Sequence, residues 1–377
     1  MTRTERWDAI VVGAGIVGAA CARALAMDGL RVLVLDDGFA GGGTTAAAMG
    51  HLVAMDDSPA QLALTALSLE LWRAIKTELP PAVEYDACGT LWIAEDDAQM
   101  AMVLEKQRTY QDAGIASEQV GAARLTALEP NLRAGLAGAL LVPGDGVIYP
   151  PTAAAWLLAQ AVARGCVVRE ACHVDEITEQ SVRCGDAWLH AHVIVNAAGG
   201  RATTLTPSLP IMPRKGHLAI TDRYPGFVRH QLVELGYLTS AHEMTSESVA
   251  FNVQPRTTGQ VLIGSSRELV GWDAATNRRV LREMLHRAQL FMPALAGTSI
   301  VRTWTGFRPA TPDKLPLIGR WTPTPGLWIA AGHEGLGITT SLGTAQLIAD
   351  MVMGRTPVID ASVFAPDRAM PAAEAAA

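Results

Sequence analysis

"WDAIVVGAGIVGAACARALAMDGLRVLVLDD", Trp7 to Asp37, decides how the chain begins to fold. It reads as strand, turn, helix, strand. Ala9 to Val12 are apolar and run straight into glycine, the pattern of a buried strand closed by a turn. Gly13, Gly15 and Gly18 follow GxGxxG spacing. In such a unit the first glycine allows the tight turn. The second lets the backbone approach a pyrophosphate, and the third lets the helix lie against the strand. The helix opening near Gly15 points its free amides, those of Ile16 and Val17 among them, and its positive dipole end at phosphate. "LRVLVLD" is the second strand. It ends in Asp36, 18 residues after Gly18 (36 − 18), where a carboxylate accepts hydrogen bonds from ribose hydroxyls, with Asp37 beside it. Together these features predict a bound dinucleotide without separating NAD from FAD. The plainer alternative is a glycine-rich turn with no ligand.

At 377 residues the chain exceeds the size at which one core keeps growing, so two domains are expected. Hydrophobic residues make up 49% and charged residues 18%, a globular composition. A net charge of -7 with no Lys/Arg cluster argues against a nucleic-acid partner. The five cysteines are scattered and form no CxxC pair. Neither a zinc site nor an iron–sulfur cluster is legible, and no metal is expected. An odd, unpatterned count suits a reducing cytoplasm. Arg3, Arg6 and "ARALAM" imitate a secretory signal, but glycines at phosphate-loop spacing and the following strand outweigh that reading. No apolar run reaches about 18 residues without a charge, so no membrane span is expected.

Downstream, "GGGTTAAAMGHL" (Gly41 to Leu52) is too glycine-rich for core and suits close backbone approach to a flat ligand; a flexible surface loop is the alternative. Ser58 as N-cap, Pro59 at the first helical position and Gln61 closing a capping box predict a helix, with Leu64, Leu67, Leu71 and Ile75 on its apolar face. "GTLWIAED" reads as a strand, Gln99 to Ala113 as a charged helix, and "VIVNAAGG" as a strand returning to the nucleotide sheet. From "PRKGHLAITD" to "GQVLIGSSRE" strands alternate with turns, which predicts an antiparallel sheet. Arg278 to Phe291 reads as a helix. The expected class is therefore α/β with an α+β substrate domain. A discontinuous Rossmann-like domain is placed at 1–84, 140–210 and 300–365, a substrate domain at 85–139 and 211–299, and a frayed tail at 366–377.

The C-terminal stretch "GLWIAAGHEGLGITTSLGTAQLIADMVMG" (Gly326 to Gly354) chooses the dinucleotide. It is a strand, a glycine turn through Gly332, Gly335 and Gly337, and a long helix. A second helix N-terminus is thus aimed at something that is or becomes anionic. A plain NAD dehydrogenase needs no such element. A flavoenzyme can use one, because reduced flavin carries negative charge at its N1–C2=O edge, which fixed donors stabilise. FAD is the expected cofactor.

With "VVGAGIVG", "TWTGFRPATPDKLPLIG" (Thr303 to Gly319) and "GLWIAAGHEGLGI" in place, nearly the whole chain resembles the D-amino-acid oxidase superfamily of FAD-dependent amine oxidoreductases. That group holds glycine oxidase, sarcosine oxidase and D-amino-acid dehydrogenase. Within it, Thr44 to Trp72 resembles the flavin subunits of hydroxyproline dehydrogenases, with opine oxidase and hydrogen cyanide synthase subunits as relatives. The resemblance implies that Arg308, between Gly306 and Pro309, pairs with a substrate carboxylate; a structural salt bridge is the alternative. It also implies that Thr44, Thr45, Met49 and Gly50 line the flavin. Val174 would meet adenine through its backbone, and Ala198 and Gly199 the pyrophosphate region. Leu336 and Ile338 complete the C-terminal cofactor turn. His333 and Glu334 tune the flavin or face the amine, or His333 only bonds to backbone. His51 carries the same two readings, catalytic or substrate-binding against structural. Lys215 and His217 border the pocket or, more plainly, form a solvated strand end. Relatives use a tyrosine before the PR pair of "AFNVQPRTTG" to hold the carboxylate. Here Asn252 stands roughly there, with Tyr237 as a substitute from a neighbouring loop.

The expected reaction is oxidation of a carboxylate-bearing amine to its imine, best matched by cis-4-hydroxy-D-proline, with hydride passing to the flavin. The resemblance implies small cysteine-rich partner subunits as electron acceptors. A self-sufficient oxidase releasing hydrogen peroxide and a flavin-binding, non-catalytic subunit remain as alternatives.

Overall fold

A computed structural model describes residues 6–236 and 247–370. Their strands form two eight-stranded sheets and one two-stranded ribbon. The first sheet is centred on β1 (Arg6–Val12), which runs parallel to β2 (Val32–Leu35) on one side and β11 (Ala187–Asn196) on the other. β8 (Val167–Arg169) extends it beyond β2, and β18 (Leu327–Ala331) beyond β11, both parallel. β17 (Leu317–Arg320) closes the rim antiparallel to β18. β9 (Glu176–Ile177) and β10 (Ser181–Cys184) hang from β11. Ala9, Ile10, Val11 and all of Val32 to Leu35 are buried, as parallel strands covered on both faces require. The returning strand "VIVNAAGG" lies where its sequence puts it, beside β1.

On one face lie α1 (Ile16–Met27), α6 (Pro150–Val162) and the last helix, α9 (Gly337–Val352). Ala19, Ala20, Cys21, Ala22 and Ala26 of α1 are buried, and their small size permits this close layering. α3 (Pro59–Ile75) packs on α9. Ser58 Oγ accepts the Gln61 N–H at 3.1 Å, but the reciprocal bond from the Ser58 N–H to Gln61 Oε1 that would complete the box is not made, and Gln61 Nε2 is buried without a partner. The buried face of α3 runs through Leu64, Ser68, Leu69 and Trp72, with Leu67 and Leu71 only half-buried. The apolar stripe is rotated from the expected one because the Ser68 hydroxyl satisfies itself on Leu64 O and the Trp72 Nε1–H donates to Thr339 O of α9.

The second sheet runs β16-β12-β15-β14-β13-β4-β6-β5. Its strands are β4 (Thr90–Ala94), β5 (Glu118–Gly121), β6 (Gly138–Val142), β12 (Met212–Arg223), β13 (Gln231–Glu234), β14 (Glu247–Pro255), β15 (Gln260–Glu268) and β16 (Ile300–Ala310). All neighbours are antiparallel except β13 and β4. α8 (Arg278–Phe291) covers one face, where Phe291 stacks on Phe251 with ring centroids 4.4 Å apart. The other face looks toward the first sheet. The placement of 300–365 in the nucleotide unit is corrected at its start: β16 pairs with β12 along its length, so the chain crosses between sheets after Ala310. The last three residues of β6, Leu140 to Val142, fall inside 140–210 but likewise pair with β4 in the second sheet. The ribbon is β3 (His51–Leu52) with β7 (Gly146–Val147).

Two expectations about chain ends change. Lys215 and His217 are not a solvated strand end; both are buried. The Lys215 ammonium sits 3.4 Å from Glu268, and His217 Nε2 accepts the Asn277 N–H. Flanked by β15 and β16, β12 has no free edge there. Within the segment expected to fray, Arg368 grips Asp313 of the TPD motif through two bonds of 2.7 and 2.9 Å and also donates to Leu315 O and Pro316 O. This clasp lies under the turn joining β16 to β17. Among the described residues no helix is long and apolar enough to cross a membrane, and all five cysteines are free thiols.

Candidate active site

A cavity of about 1030 Å³ runs between the sheets, from Asp36 and Val174 at one end to Asn252 and Trp92 at the other. The first end is main-chain work. Gly13 sits at φ +108°, and a Cβ there would fall 2.5 Å from Ala197 O. A Cβ on Gly18 would fall 1.9 Å from Gly13 O. Gly18 therefore does not line the cavity; it brings α1 against the turn that does. Asp36 accepts the Ala14 N–H at 2.6 Å and the Gly38 N–H at 2.8 Å, which fixes its carboxylate at the mouth of the glycine turn. Asp37 also lines the cavity and pairs with Arg201 at its exposed rim. Gly15, Ile16 and Val17 line it from the α1 side, Ala198 and Gly199 from the end of β11.

The glycine-rich segment ties the two sheets together through α2 (Gly43–Ala47). Thr45 Oγ1 accepts the Ile16 N–H at 3.0 Å, so its side chain, as well as its backbone, is engaged at the start of α1. Thr44 donates to Phe307 O of β16 at 2.8 Å. Met49 O accepts from Gln254 Nε2 at 2.9 Å. Gly50 is held at φ +101°, where a Cβ would strike Ile148 O.

In the C-terminal turn, Gly335, Leu336, Gly337 and Ile338 line the cavity at the N-terminus of α9, where Leu336 supplies no side-chain cap. The first amides of that helix thus face the cavity. Gly332 does not line it; at φ +78° it turns the chain beneath Thr311. His333 is buried and bonds through Nε2 to Thr344 Oγ1 of α9 at 2.9 Å, rather than to backbone. Burial pushes its pKa down to about 3, so the ring is neutral at working pH. Burial, then the Arg308 charge, pushes His51 down to about 4; its Nε2 is buried without a partner on the cavity wall.

Arg308 projects from β16 over its neighbour β12. Its Nη1–H donates to Ser266 O of β15 at 2.9 Å. A Cβ on Gly216 would lie 2.4 Å from that nitrogen, so the guanidinium lies flat across a glycine. Glu334 stands close by, with Arg214 and Arg267 at 3.7 and 3.6 Å. Burial alone would raise its carboxyl; the charges of Arg267, Arg308 and Arg214 outweigh burial and hold it below the usual range. Arg214 and Arg267 carry no sequence signal: they sit in ordinary strand patterns, and only the sheet brings them to Glu334. Asn252 is buried on the cavity wall two strands from β12. Tyr237 lies outside the described residues. Among those residues no group of His, Cys, Asp or Glu is arranged to hold a metal ion.

Two helix N-termini, glycines that forbid a Cβ, and an acid fixed at the end of β2 fit FAD. The α1 amides would hold the pyrophosphate, Asp36 a ribose, and the α9 amides the flavin's anionic edge.

A family profile described as FAD dependent oxidoreductase (DAO) matches residues 8–351. The glycine oxidase of Geobacillus kaustophilus is 28% identical over 377 residues, covering 96% of this chain and 97% of that protein. The hydrogen cyanide synthase subunit HcnC of Pseudomonas aeruginosa is 28% identical over 431 residues, with 98% of each covered. The crystal structure of the Geobacillus glycine oxidase superposes with a TM-score of 0.87 at 26% identity, covering 98% of this chain and 100% of that one.

Proposed function

The chain belongs to the DAO family of FAD-dependent oxidoreductases, and from that premise we propose that it oxidises a carboxylate-bearing cyclic amine, with cis-4-hydroxy-D-proline as the leading substrate. The observation that carries this reading is the Arg308 guanidinium, laid across Gly216 and aimed by Ser266 O into the cavity that the phosphate cradle opens. A planar fork held in that way binds a carboxylate through two parallel bonds. Bound FAD supplies the acceptor for the hydride that leaves the α-carbon. Arg308 orients the amine by its acid group. His51 and His333 stay uncharged and repel no cation. The amides at the start of α9 oppose negative charge developing beside them.

The test is anaerobic bleaching of the bound flavin by proline, hydroxyproline, glycine, sarcosine and D-alanine, each with an artificial dye as terminal acceptor. Hydroxyproline should bleach fastest. Colour that no amine removes would sink the reading and favour a non-catalytic flavin subunit. Electrons are read as leaving to cysteine-rich partner subunits; the relation to a hydrogen cyanide synthase subunit suits this. Reoxidation in air separates the alternatives, since a self-sufficient oxidase regains its colour quickly and releases peroxide. The five free thiols suit a reducing compartment such as the cytoplasm.

A further inference from the structure

Four neutral side chains close the cavity at the end away from the phosphate cradle: Trp92 of β4, Gln231 of β13, Asn252 of β14 and Ser265 of β15. All are at least nine-tenths buried, with exposures of 1, 1, 5 and 3%. Each carries a buried polar atom with no hydrogen-bond partner among the described residues: Nε1, Oε1, Oδ1 and Oγ respectively. Buried polar groups are nearly always paired, so four orphans on one wall call for a ligand that pairs them.

The register brings them together. Val233 lies opposite Trp92 on one side and Asn252 on the other, and Asn252 lies opposite Gly264; Ser265 follows Gly264 where the β14–β15 register shifts, and it lines the same cavity. Gln231 precedes Val233 by two residues and shares its face of β13. Asn252 is thus central. Between it and the Arg308 guanidinium over β12 there is one intervening strand, β15. A ligand spanning the two reaches across about one to two strand spacings, ~5–10 Å.

We propose that Asn252, flanked by Ser265, Gln231 and Trp92, forms a neutral hydrogen-bonding subsite that recognises a hydroxyl on the ring of the amine and so sets which carboxylate-bearing amine the site accepts. The proposal rests on the cavity being the amine-oxidising site. Asn252 does not share the carboxylate with Arg308; it reads the opposite side of the substrate. A hydroxyl donates one bond and accepts two, so it pairs up to three of the four, Asn252 among them: the indole N–H only donates, while the amides and the Ser265 hydroxyl do either after rotation. An unsubstituted ring would leave all four orphaned. A site built to hydrogen-bond a hydroxyl discriminates strongly against the analogue that lacks it.

The experiment uses the FAD-loaded protein. For wild type, Asn252→Leu and Ser265→Ala, kcat/KM is measured with 4-hydroxyproline and proline of matching stereochemistry. Affinity is measured, through perturbation of the flavin absorbance, for 3-hydroxycyclopentanecarboxylic acid and cyclopentanecarboxylic acid, which reproduce the acid with and without the ring hydroxyl but lack the amine and cannot be oxidised. Wild type should favour the hydroxylated member of each pair by roughly 100-fold or more. That ratio should fall by roughly 10–100-fold in Asn252→Leu and by less in Ser265→Ala. A wild-type ratio near one, or variants that weaken both members equally, would overturn the subsite. Should Asn252→Leu fail to fold, Ser265→Ala on the neighbouring strand decides alone. If the two acids bind with the expected preference and no amine bleaches the flavin, the subsite stands and the oxidation reading falls. If amines bleach it without preference, the reverse holds.

Discussion

At the Asp36 end of the cavity the contacts come from the main chain: amides at the start of α1, carbonyl-crowded glycines, and a carboxylate pinned by two backbone N–H groups. At the Arg308 end they come from side chains carried on β16, β12, β15, β14, β13 and β4. The first end suits a ligand that never changes, because main-chain geometry cannot be retuned by a single substitution. The second can be rebuilt one residue at a time, so specificity within a shared fold resides there.

The sharpest way to break this contrast is to attack each end and read both outputs. Gly18→Val has the largest effect. Its Cβ would sit inside the Gly13 carbonyl, so the α1 layer cannot close, and the protein should be colourless or insoluble. Absorbance at the flavin band against protein content checks this. Arg308→Ala comes next. It should keep its colour and fold yet lose ~30–5000-fold in kcat/KM, the equivalent of roughly 2–5 kcal/mol for truncating one partner of a desolvated ion pair. Normal kinetics with full colour would defeat the assignment of Arg308.

Gly216→Ala sharpens the comparison because it leaves Arg308 present but displaces it, the new methyl falling 2.4 Å from the guanidinium nitrogen. KM for the amine should rise by about 10-fold or more, since a misplacement of ~1 Å can cost as much as a hundredfold, while FAD content stays at wild-type level. The smallest effect belongs to His333. A histidine in an unfolded chain takes up a proton near pH 6.5, whereas native His333 resists until about 3 and His51 until about 4. Between those values the unfolded state binds more protons. Stability is then full above pH 6.5 and declines as pH falls toward 3. His333→Gln, which keeps a partner for Thr344, should lose less Tm than wild type between pH 6.5 and 4. Equal slopes in the two proteins would remove His333 from the account.

The same contrast explains what a reader of the sequence can see. A glycine cradle is local: Gly13, Gly15, Gly18 and Asp36 lie in one βαβ unit, so their spacing along the chain mirrors their spacing in space. The two parallel strands, the C-terminal glycine turn and the antiparallel alternation after Pro213 are legible for that reason. Trp92, Gln231, Asn252 and Ser265 become neighbours only when four strands align, and nothing in their sequence separation announces it. Arg308 is visible through a family motif, while Arg214 and Arg267 are not visible at all. The strand after residue 300 is misplaced for a related reason. Its pairing with β12 joins residues 79 to 98 positions apart (Ile300 with Thr221, 300 − 221; Ala310 with Met212, 310 − 212), and alternation alone does not name a partner.

The clasp of Arg368 on Asp313 gives the far end of the chain leverage over recognition. It latches the bend immediately behind the strand that presents Arg308, although it touches neither cofactor nor amine. A product shortened to stop at residue 367 would retain every strand and helix described for the two layers and still release that latch. Wear by exopeptidases, or a bulky tag grafted nearby, should therefore register first as a loosened grip on the acid, in material that remains yellow and outwardly sound.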